Sequence, residues 1–376
     1  MSARRVMLVA GEASGDLHAA GLVAALRRRL GDVEIWGIAG REARAQGMTT
    51  AIDISEIATL GLTEVAEKAR AILRAYRMLR RELRERPPSL LVLIDFPEFN
   101  LALATVAKRA GVPVFFYVSP QVWAWRRGRV RKILARVDRL AVLFPFEPAV
   151  YGNAEKVKFV GHPLLDSVRA TADRAETLRR HGLDPTRPLV VLLPGSRRRE
   201  LERILPAMAG AAERLAERRP LQFAIALAPT LTPDLAERLT AGRGVALPLV
   251  AEDAYNLIAA SELVLTTSGT ATLEVALLGR PMVIMYRASP LTYLVARALV
   301  RVPWIGMPNL IAGREIVPEL VQRRANAEEI ATAAESILAD PERRRTIESD
   351  LVGIRAALGA GGAAERAADL AVELLA

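Results

Sequence analysis

Short apolar runs alternate with longer amphipathic segments along almost the whole chain. In the first half these runs are rich in β-branched or aliphatic residues and are bounded by glycine, proline or charge, which predicts β-strands. The predicted strands are 6–10, 34–39, 90–94, 114–118 and 140–143. The clearest helix is predicted from about 63 to 86, where apolar residues recur every three or four positions opposite a face of arginines until Pro87 and Pro88 end it.

The second half repeats this alternation. The predicted strands are 157–160, 189–193, 222–226, 245–247, 263–265 and 282–285, and the helices lie near 201–218, 233–240, 253–260 and 272–278. Apolar strands that alternate with helices are typical of parallel sheets covered on both faces. We therefore predict two doubly wound α/β domains, 1–162 and 163–345, divided near Gly161-His162-Pro163. A helical segment, 346–376, would follow and could pack back on the first domain.

Composition narrows the class of protein. The chain has 376 residues, of which 51% are hydrophobic and 25% are charged, as in a globular protein. There is no cysteine, which excludes disulfides, thiolate catalysis and thiolate zinc sites. No apolar run approaches the length of a membrane span, and the first apolar run is too short for a secretory signal. The net charge of +10 favours an anionic partner such as nucleic acid, anionic lipid or a phosphorylated substrate.

Ligands of open α/β sheets bind beyond the carboxyl ends of the strands, so the loops there carry the candidate chemistry. In the first domain Asp95 ends an apolar strand beside Phe96 and Pro97. Poor solvation would raise its pKa toward that of a general base, although it could instead cap the next helix. The loop 11–16 could hold an anion at a helix N-terminus, or Ser14 or Asp16 could cap that helix. The loop 118–125 carries two tryptophans followed by arginines, which suits a sugar, an acyl chain, a phosphate or nucleic acid, but also plain core packing.

Two loops of the second domain indicate a nucleotide. In the first, Gly195 and Ser196 follow a strand and precede Arg197 and a helix, which offers backbone N–H groups and a guanidinium to a diphosphate. In the second, a hydroxyl-rich turn around Gly269 precedes Glu274, whose carboxylate suits the paired hydroxyls of a ribose. A Ser/Thr cap with a capping-box glutamate is the alternative there. The three histidines are scattered and form no zinc pattern.

Taken in order, these loops closely resemble those of the lipid-A-disaccharide synthase family. The resemblance is carried by the stretches 9–16, 94–100, 117–125, 143–147, 160–163, 193–197, 268–274 and 308–315. It implies a GT-B glycosyltransferase, with two Rossmann-like domains facing across a cleft. The implied reaction is inverting transfer of 2,3-diacylglucosamine from UDP to the 6-hydroxyl of 2,3-diacylglucosamine 1-phosphate, which gives a β(1→6) disaccharide 1-phosphate and UDP. It also implies no metal cofactor and a cytoplasmic protein peripheral on the anionic inner membrane, and it leaves a homodimer open.

The resemblance also implies roles for single residues. Asp95 would be the catalytic base, and Arg197 would offset the charge that develops on the departing diphosphate. The UDP site would comprise Gly195, Ser196, Arg197, Ser268, Gly269, Thr270, Ala271 and Glu274. Acceptor or sugar positioning falls to Glu12, Ser14, Asn100, Ser119, Gln121 and Asn309. The candidate acyl and membrane contacts are Ile57, Leu60, Leu62, Val65, Trp123 and Trp125.

Three other functions compete with this interpretation. A peptidoglycan UDP-GlcNAc transferase or a UDP-GlcNAc 2-epimerase would share the logic of the second domain but not the stretch 117–125. A non-catalytic protein that binds RNA or anionic lipid through its arginines would bind with steep salt dependence and without affinity for UDP. That last hypothesis leaves Asp95 and Glu274 without a role, so we expect no nucleic-acid partner.

Overall fold

The fold is described from a computed structural model, which covers residues 4–11, 13–58, 65–125, 127–299 and 302–375. The chain forms two units. The first comprises residues 1–163 together with 358–376, and the second comprises residues 164–357.

The first unit is built on a seven-stranded sheet in which every pair of neighbouring strands is parallel. Its strand order is β3-β2-β1-β4-β5-β6-β7, so the chain winds outward from β1 in one direction and then in the other. The strands are β1 (Arg4–Ala10), β2 (Val33–Ala39), β3 (Thr49–Asp53), β4 (Leu90–Ile94), β5 (Val114–Tyr117), β6 (Arg139–Val142) and β7 (Val157–Phe159).

Helices connect these strands, as a parallel sheet requires. They are α1 (Ala13–Leu30), α2 (Arg41–Ala45), α3 (Ile54–Ala58), α4 (Val65–Glu85), α5 (Pro97–Arg109), α6 (Val122–Trp125), α7 (Val130–Leu134) and α8 (Glu147–Val150), with one 3₁₀ turn at Arg127–Arg129.

The second unit repeats the design with a six-stranded parallel sheet of order β10-β9-β8-β11-β12-β13. Its strands are β8 (Leu189–Leu193), β9 (Gln222–Ala226), β10 (Leu249–Val250), β11 (Leu263–Thr267), β12 (Met282–Tyr286) and β13 (Glu319–Val321). Its helices are α9 (Leu164–Ser167), α10 (Arg174–Arg180), α11 (Arg198–Arg218), α12 (Pro233–Thr240), α13 (Ala254–Ala260), α14 (Thr270–Leu277), α15 (Pro290–Leu299), α16 (Met307–Ala312), α17 (Ala327–Leu338) and α18 (Pro341–Ala357), with one 3₁₀ turn at Gln322–Arg324.

The central strands of both sheets are the core. Every residue of β4 is buried, as is every residue of β8, β9 and β11. Strands covered on both faces need apolar residues at consecutive positions rather than at alternate ones, which is why these runs are continuous in the sequence. The predicted fold class, two doubly wound domains with parallel sheets, is confirmed.

Three strands depart from the sequence prediction. The strand predicted at 245–247 is wrong, because those residues form an irregular segment and the short β10 follows at Leu249–Val250. The edge strands β3 and β13 were not predicted. The sequence of β3 is Thr-Thr-Ala-Ile-Asp, and its burial is largely limited to Ile52, so it carries little of the apolar signal that marks a central strand.

The last segment returns to the first unit. It begins at residue 358 rather than at the predicted 346, because α18 continues unbroken to Ala357 within the second unit. Helix α19 (Ala363–Val372) and a 3₁₀ turn at Glu373–Leu375 complete it. The guanidinium of Arg366 donates hydrogen bonds to the carbonyls of Val160 at 2.9 Å and of Ala360 and Gly361 at 2.7 Å. Arg366 thereby fixes this segment to the strand end at Val160.

Candidate active site

A cavity of about 870 Å³ opens in the second unit, beyond the carboxyl ends of β8, β9 and β11. This is the edge of a doubly wound sheet at which ligands bind. All of the residues assigned to UDP line this one cavity: Gly195, Ser196, Arg197, Ser268, Gly269, Thr270, Ala271 and Glu274.

One wall of the cavity is the N-terminus of α11. Gly195 has a φ of 106°, and a Cβ there would lie 2.5 Å from Oε2 of Glu200, so this turn needs glycine. The N–H of Ser196 donates to the same Oε2 at 3.2 Å. Arg197 directly precedes the helix, and its side chain is 76% exposed, 3.4 Å from Oε1 of Glu200. The guanidinium is therefore accessible to an anion at the positive end of a 21-residue helix.

A second wall is the turn between β11 and α14, at the end of the strand that pairs with β8. Gly269, at φ 154°, is the N-cap residue of α14 and has no capping side chain, so the Ser/Thr cap that was the alternative to a nucleotide site is absent. Ser268 donates its hydroxyl proton to the carbonyl of Ile305 at 2.7 Å, and Thr272 donates to the carbonyl of Gly269 at 2.8 Å. The exposed Thr270 lines the cavity at the start of α14, where phosphate oxygens could bind.

Glu274 lies one turn into α14 and is partly buried. Burial raises the pKa of its carboxyl above the ordinary value, and a hydrogen bond of 2.9 Å from the hydroxyl of Tyr255 partly offsets that rise. Burial also raises the pKa of Tyr255, so its phenol remains a donor at neutral pH. Tyr255 thus orients the carboxylate that the sequence assigned to a ribose.

Sequence reasoning missed a third wall of the cavity, at the start of α13. Asn256 accepts hydrogen bonds from the N–H groups of Thr171 at 2.6 Å and Ala172 at 3.0 Å. Asp253, with a left-handed φ of 89°, lies 3.0 Å from both Arg180 and His181. The sequence predicted a helix near 253–260 but assigned no chemistry to it, although a non-glycine residue in this backbone conformation often marks a functional site.

Asn309 was predicted to position a sugar, and the structure gives it a different environment. Its side chain is 0% exposed. Its amide oxygen accepts from the N–H groups of Ile316 and Val317 at 2.8 and 3.0 Å, and its amide nitrogen donates to the carbonyl of Val317 and to Glu319 at 2.9 and 2.8 Å. Glu319 in turn accepts from the N–H groups of Ile305 and Gly306 at 2.8 and 2.9 Å. Asn309 therefore acts on the cavity indirectly, by fixing the loop whose carbonyl receives Ser268.

In the first unit, Asp95 lies directly after β4 and is partly buried. Asp95 and Phe96 both have left-handed φ values, of 49° and 47°, which non-glycine residues adopt at some cost in energy. The N-cap residue of α5 is Phe96 and not Asp95, so Asp95 does not fill the N-cap position considered for it. Asn100 is fully buried and donates to the carbonyl of Asp95 at 2.7 Å. Asn100 therefore holds the backbone of this strained turn.

The loop after β1 packs directly against this turn. A Cβ on Gly11 would lie 2.3 Å from Cγ of Phe96, so only glycine allows the approach. Asp16 does not cap α1. It accepts hydrogen bonds from the N–H groups of Gly40, Glu42 and Ala43 at 2.7, 2.9 and 3.2 Å and so caps α2. Ser14 is exposed on the first turn of α1, and Glu12 lies outside the described residues.

The loop after β5 differs most from the prediction. Gln121 is exposed, as a ligand contact should be. Ser119, predicted as another, is buried and donates its hydroxyl to Glu147 at 2.9 Å. Trp123, predicted as an acyl contact, is 5% exposed because its ring packs edge-on against Phe144 and Phe146. Ser119 is thus used in a hydrogen bond within the unit, and Trp123 is used in packing within it.

The remaining candidate acyl contacts are Ile57, Leu60, Leu62, Val65 and Trp125. Leu60 and Leu62 lie outside the described residues, and the side chains of Ile57, Val65 and Trp125 lie outside them as well. The predicted helix next to them is confirmed as α4, Val65–Glu85. It buries Ala75, Leu79 and Leu83 against the core. Its exposed face carries Arg70, Arg74, Arg77, Arg80, Arg81 and Arg84.

Solved structures share this fold at low sequence identity. MurG of Acinetobacter baumannii superposes with a TM-score of 0.61 at 17% identity, over 98% of this chain and 99% of that one. A UDP-GlcNAc 2-epimerase from Neisseria meningitidis bound to UDP-GlcNAc superposes with a TM-score of 0.63 at 14% identity, over 94% of this chain and 97% of that one. At such identities the likeness concerns the fold.

Sequence comparison identifies the family. Residues 6–372 match the family described as "Lipid-A-disaccharide synthetase". A lipid-A-disaccharide synthase of Geobacter metallireducens is 47% identical over 99% of this chain and 97% of that protein. The one of Myxococcus xanthus is 42% identical over 99% and 97%. The chain thus belongs to the lipid-A-disaccharide synthase family, the glycosyltransferases of lipid A biosynthesis.

Proposed function

We propose that this protein transfers 2,3-diacylglucosamine from its UDP derivative to the 6-hydroxyl of 2,3-diacylglucosamine 1-phosphate, with inversion at the anomeric carbon. The observation that carries the proposal is the cavity of the second unit, where every residue assigned to UDP from the sequence lines one space. The choice of acylated glucosamine derivatives as the substrates rests on the family match.

The donor's diphosphate would bind between the N-termini of α11 and α14. Arg197 would lie against its oxygens, with Gly269 and Thr270 offering backbone N–H groups. Glu274, oriented by Tyr255, would accept hydrogen bonds from the ribose hydroxyls. As the bond from the anomeric carbon to the diphosphate breaks, UDP leaves with the electron pair, and the guanidinium stabilises the charge that develops.

Asp95 would act as the base. Its carboxylate would take the proton of the acceptor 6-hydroxyl while the hydroxyl oxygen attacks the anomeric carbon from the face opposite the diphosphate. Its position at the carboxyl end of β4, on a backbone fixed by Asn100 and packed against Gly11, supports this role.

We also propose that the reaction needs no metal ion, because the guanidinium of Arg197 would supply the positive charge that a cation supplies in other transferases. EDTA should then leave the rate unchanged. Loss of activity that Mg²⁺ restores would overturn this part of the proposal.

We place the protein at the cytoplasmic face of the inner membrane, where its acylated substrates would lie. No helix in the described part of the chain is long and apolar enough to cross a bilayer. The exposed arginines of α4 support peripheral binding to anionic lipid, at about 1 kcal/mol for each residue near the surface. Sedimentation with vesicles of phosphatidylglycerol, but not of phosphatidylcholine alone, would test it.

The reaction itself is tested by mass spectrometry of the product. The purified protein should convert the two acylated substrates into disaccharide 1-phosphate and UDP. Turnover of UDP-GlcNAc without an acylated acceptor would refute the assignment.

Asp95→Asn tests the base. It should lower kcat by about 10²- to 10⁴-fold while UDP still binds. Glu98→Gln, which changes an exposed carboxylate three residues along the same segment, is the matched control and should keep near-normal rates. Near-normal rates for Asp95→Asn would show that Asp95 is structural.

A further inference from the structure

A buried carboxylate joins two strand ends of the first unit and has no part in the mechanism above. Glu147 begins α8 and is 2% exposed. Its Oε2 accepts hydrogen bonds from the N–H groups of Leu143 and Phe144 at 3.0 and 2.9 Å, directly after β6. Its Oε1 accepts from the hydroxyl of Ser119 at 2.9 Å, shortly after β5. The side chain therefore ties the carboxyl end of β6 to the carboxyl end of β5.

The turn that Glu147 holds is strained. Val118 has a φ of 63°, which is unfavourable for a β-branched residue and persists only where the surroundings impose it. The hydroxyl of Ser119 also accepts a hydrogen bond of 3.2 Å from Tyr151. Ser119 is thus fixed from two sides, and with it the start of the segment that presents the exposed Gln121.

The same turn lies beside the proposed base. Strands β4 and β5 are paired with Ile94 opposite Tyr117, so the residues that follow them, Asp95 and Val118, emerge side by side. Both are in the left-handed region. A shift of the turn after β5 would change the surface next to Asp95 on which an acceptor must lie.

We propose that Glu147 is a positioning residue for the acceptor: through Ser119 it fixes the turn after β5, and its ionised form is the one that sets the active geometry. This inference rests on the proposed function, because it assumes that an acceptor binds beside Asp95.

The electrostatic surroundings of Glu147 support a dependence of the active geometry on pH. Burial raises the pKa of Glu147 to about 7, against the lowering effect of the hydrogen bonds from Phe144 and Ser119. Burial raises the pKa of the neighbouring Tyr151 as well, so the phenol stays neutral. Beyond Phe144, burial lowers the pKa of His162 to about 3, and it lowers that of His18 to about 4. Of these four groups, Glu147 changes its charge near neutral pH.

The hydrogen bonds distinguish the two protonation states. The carboxylate accepts hydrogen bonds from the N–H groups of Leu143 and Phe144 and from the hydroxyl of Ser119, which suits the ionised form. Once protonated at Oε1, Glu147 must donate to Ser119, and the Ser119 hydroxyl must turn its own proton away, for example to the carbonyl of Pro120 at 3.2 Å. The bond that fixes the turn is then reversed.

Glu147→Gln reproduces the protonated form, since its amide oxygen can accept from both N–H groups while its NH₂ faces Ser119. With the acylated substrates at about pH 8, kcat/KM for the acceptor should fall about tenfold, and the rise in wild-type activity through about pH 7 should be absent. The Kd for UDP should stay within about twofold, because the UDP cavity lies in the other unit. A wild-type pH profile in Glu147→Gln would overturn the proposal.

Asp138→Asn is the matched control. Asp138 also ties a strand, accepting from the N–H of Val114 at 2.9 Å, but it does so at the amino end of β5. This variant should lower the Tm of the protein, whereas the pH dependence of kcat/KM for the acceptor, measured per folded molecule, should not change. An equal change in that profile would indicate a general structural effect and would refute the positioning role.

Ser119→Ala provides a second test if Glu147→Gln does not fold. It removes one hydroxyl and should lower kcat/KM for the acceptor without changing the Kd for UDP. Unchanged acceptor kinetics would overturn the proposal. The wild-type protein in the same assay tests the proposed function separately: if it does not form the disaccharide, that function fails, whereas the ratio of variant to wild type decides the role of Glu147.

Discussion

Replacing Glu147 by glutamine should change how the stability of the protein depends on pH, and the structure gives the sign of the change. The pKa of this carboxyl is raised from 4.5 to about 7 in the folded protein. A raised pKa means that the folded state binds the proton more tightly than the unfolded state does. The stabilisation is therefore complete below about pH 4.5 and is lost as the pH rises through about 7.

The size of this change in stability follows from the same pKa shift. At about 1.4 kcal/mol for each pKa unit, ionising Glu147 inside the folded unit costs about 3 kcal/mol relative to the unfolded chain. Glutamine cannot ionise and fits the same space. The free energy of unfolding of Glu147→Gln, minus that of the wild type, should therefore rise by about 3 kcal/mol between about pH 4.5 and 7.5.

Urea unfolding at a series of pH values measures this difference. The other ionisable groups are common to both proteins and cancel in the subtraction, so the slope reports Glu147. Asp138→Asn provides the control for a carboxylate at the other end of the sheet. A difference that stays flat from about pH 5 to 8 would show that Glu147 ionises in the folded protein as it does in water, and the reasoning would be refuted.

Three further variants test other contacts. Gly11→Ala would bring a Cβ to 2.3 Å from Phe96 and so displace the turn that carries the proposed base, which should lower kcat by about 10²-fold in a turnover assay. Gly15→Ala is the control: its Cβ would have its nearest contact at 3.6 Å, so kcat should change little. Asn309→Leu removes four buried hydrogen bonds and should cost about 2–4 kcal/mol in urea unfolding and weaken UDP binding in a calorimetric titration. Arg366→Ala removes three hydrogen bonds to carbonyls and should lower stability by about 2 kcal/mol, with unchanged turnover for each folded molecule.

The sequence predicted the strands that are covered on both faces of their sheet. The strands 90–94, 189–193 and 222–226 have the predicted bounds, because a strand covered on both faces must be apolar at every position. The edge strands β3 and β13 are shielded on fewer sides and therefore tolerate polar residues. Their positions depend on pairing with β2 and β12, which is information that a local pattern does not contain.

The sequence also predicted which loops line the cavity of the second unit, because glycine and hydroxyl residues at strand-to-helix junctions have a local physical meaning. It did not distinguish side chains that face a ligand from side chains that hold the backbone. Ser119 and Trp123 follow a strand end just as Gln121 does, and the partners that bury them, Glu147 and Phe146, lie more than twenty residues away. Tyr255 was missed for the same reason, since its partner Glu274 belongs to another helix.

Asn100 and Asn309 show why such residues are easily mistaken for ligand contacts. Both are fully buried. The amide of Asn100 donates to the carbonyl of Asp95, whereas the amide of Asn309 donates to Glu319, which in turn accepts from the N–H groups of Ile305 and Gly306 in the loop that receives Ser268. Loss of either amide would displace a reactive group, so activity would fall although no bond to a substrate is lost. A fall in activity alone therefore does not assign a residue to the substrate. The distinguishing result is a loss of stability alongside the loss of activity, which a direct ligand contact, the role proposed for the exposed Arg197, should not produce.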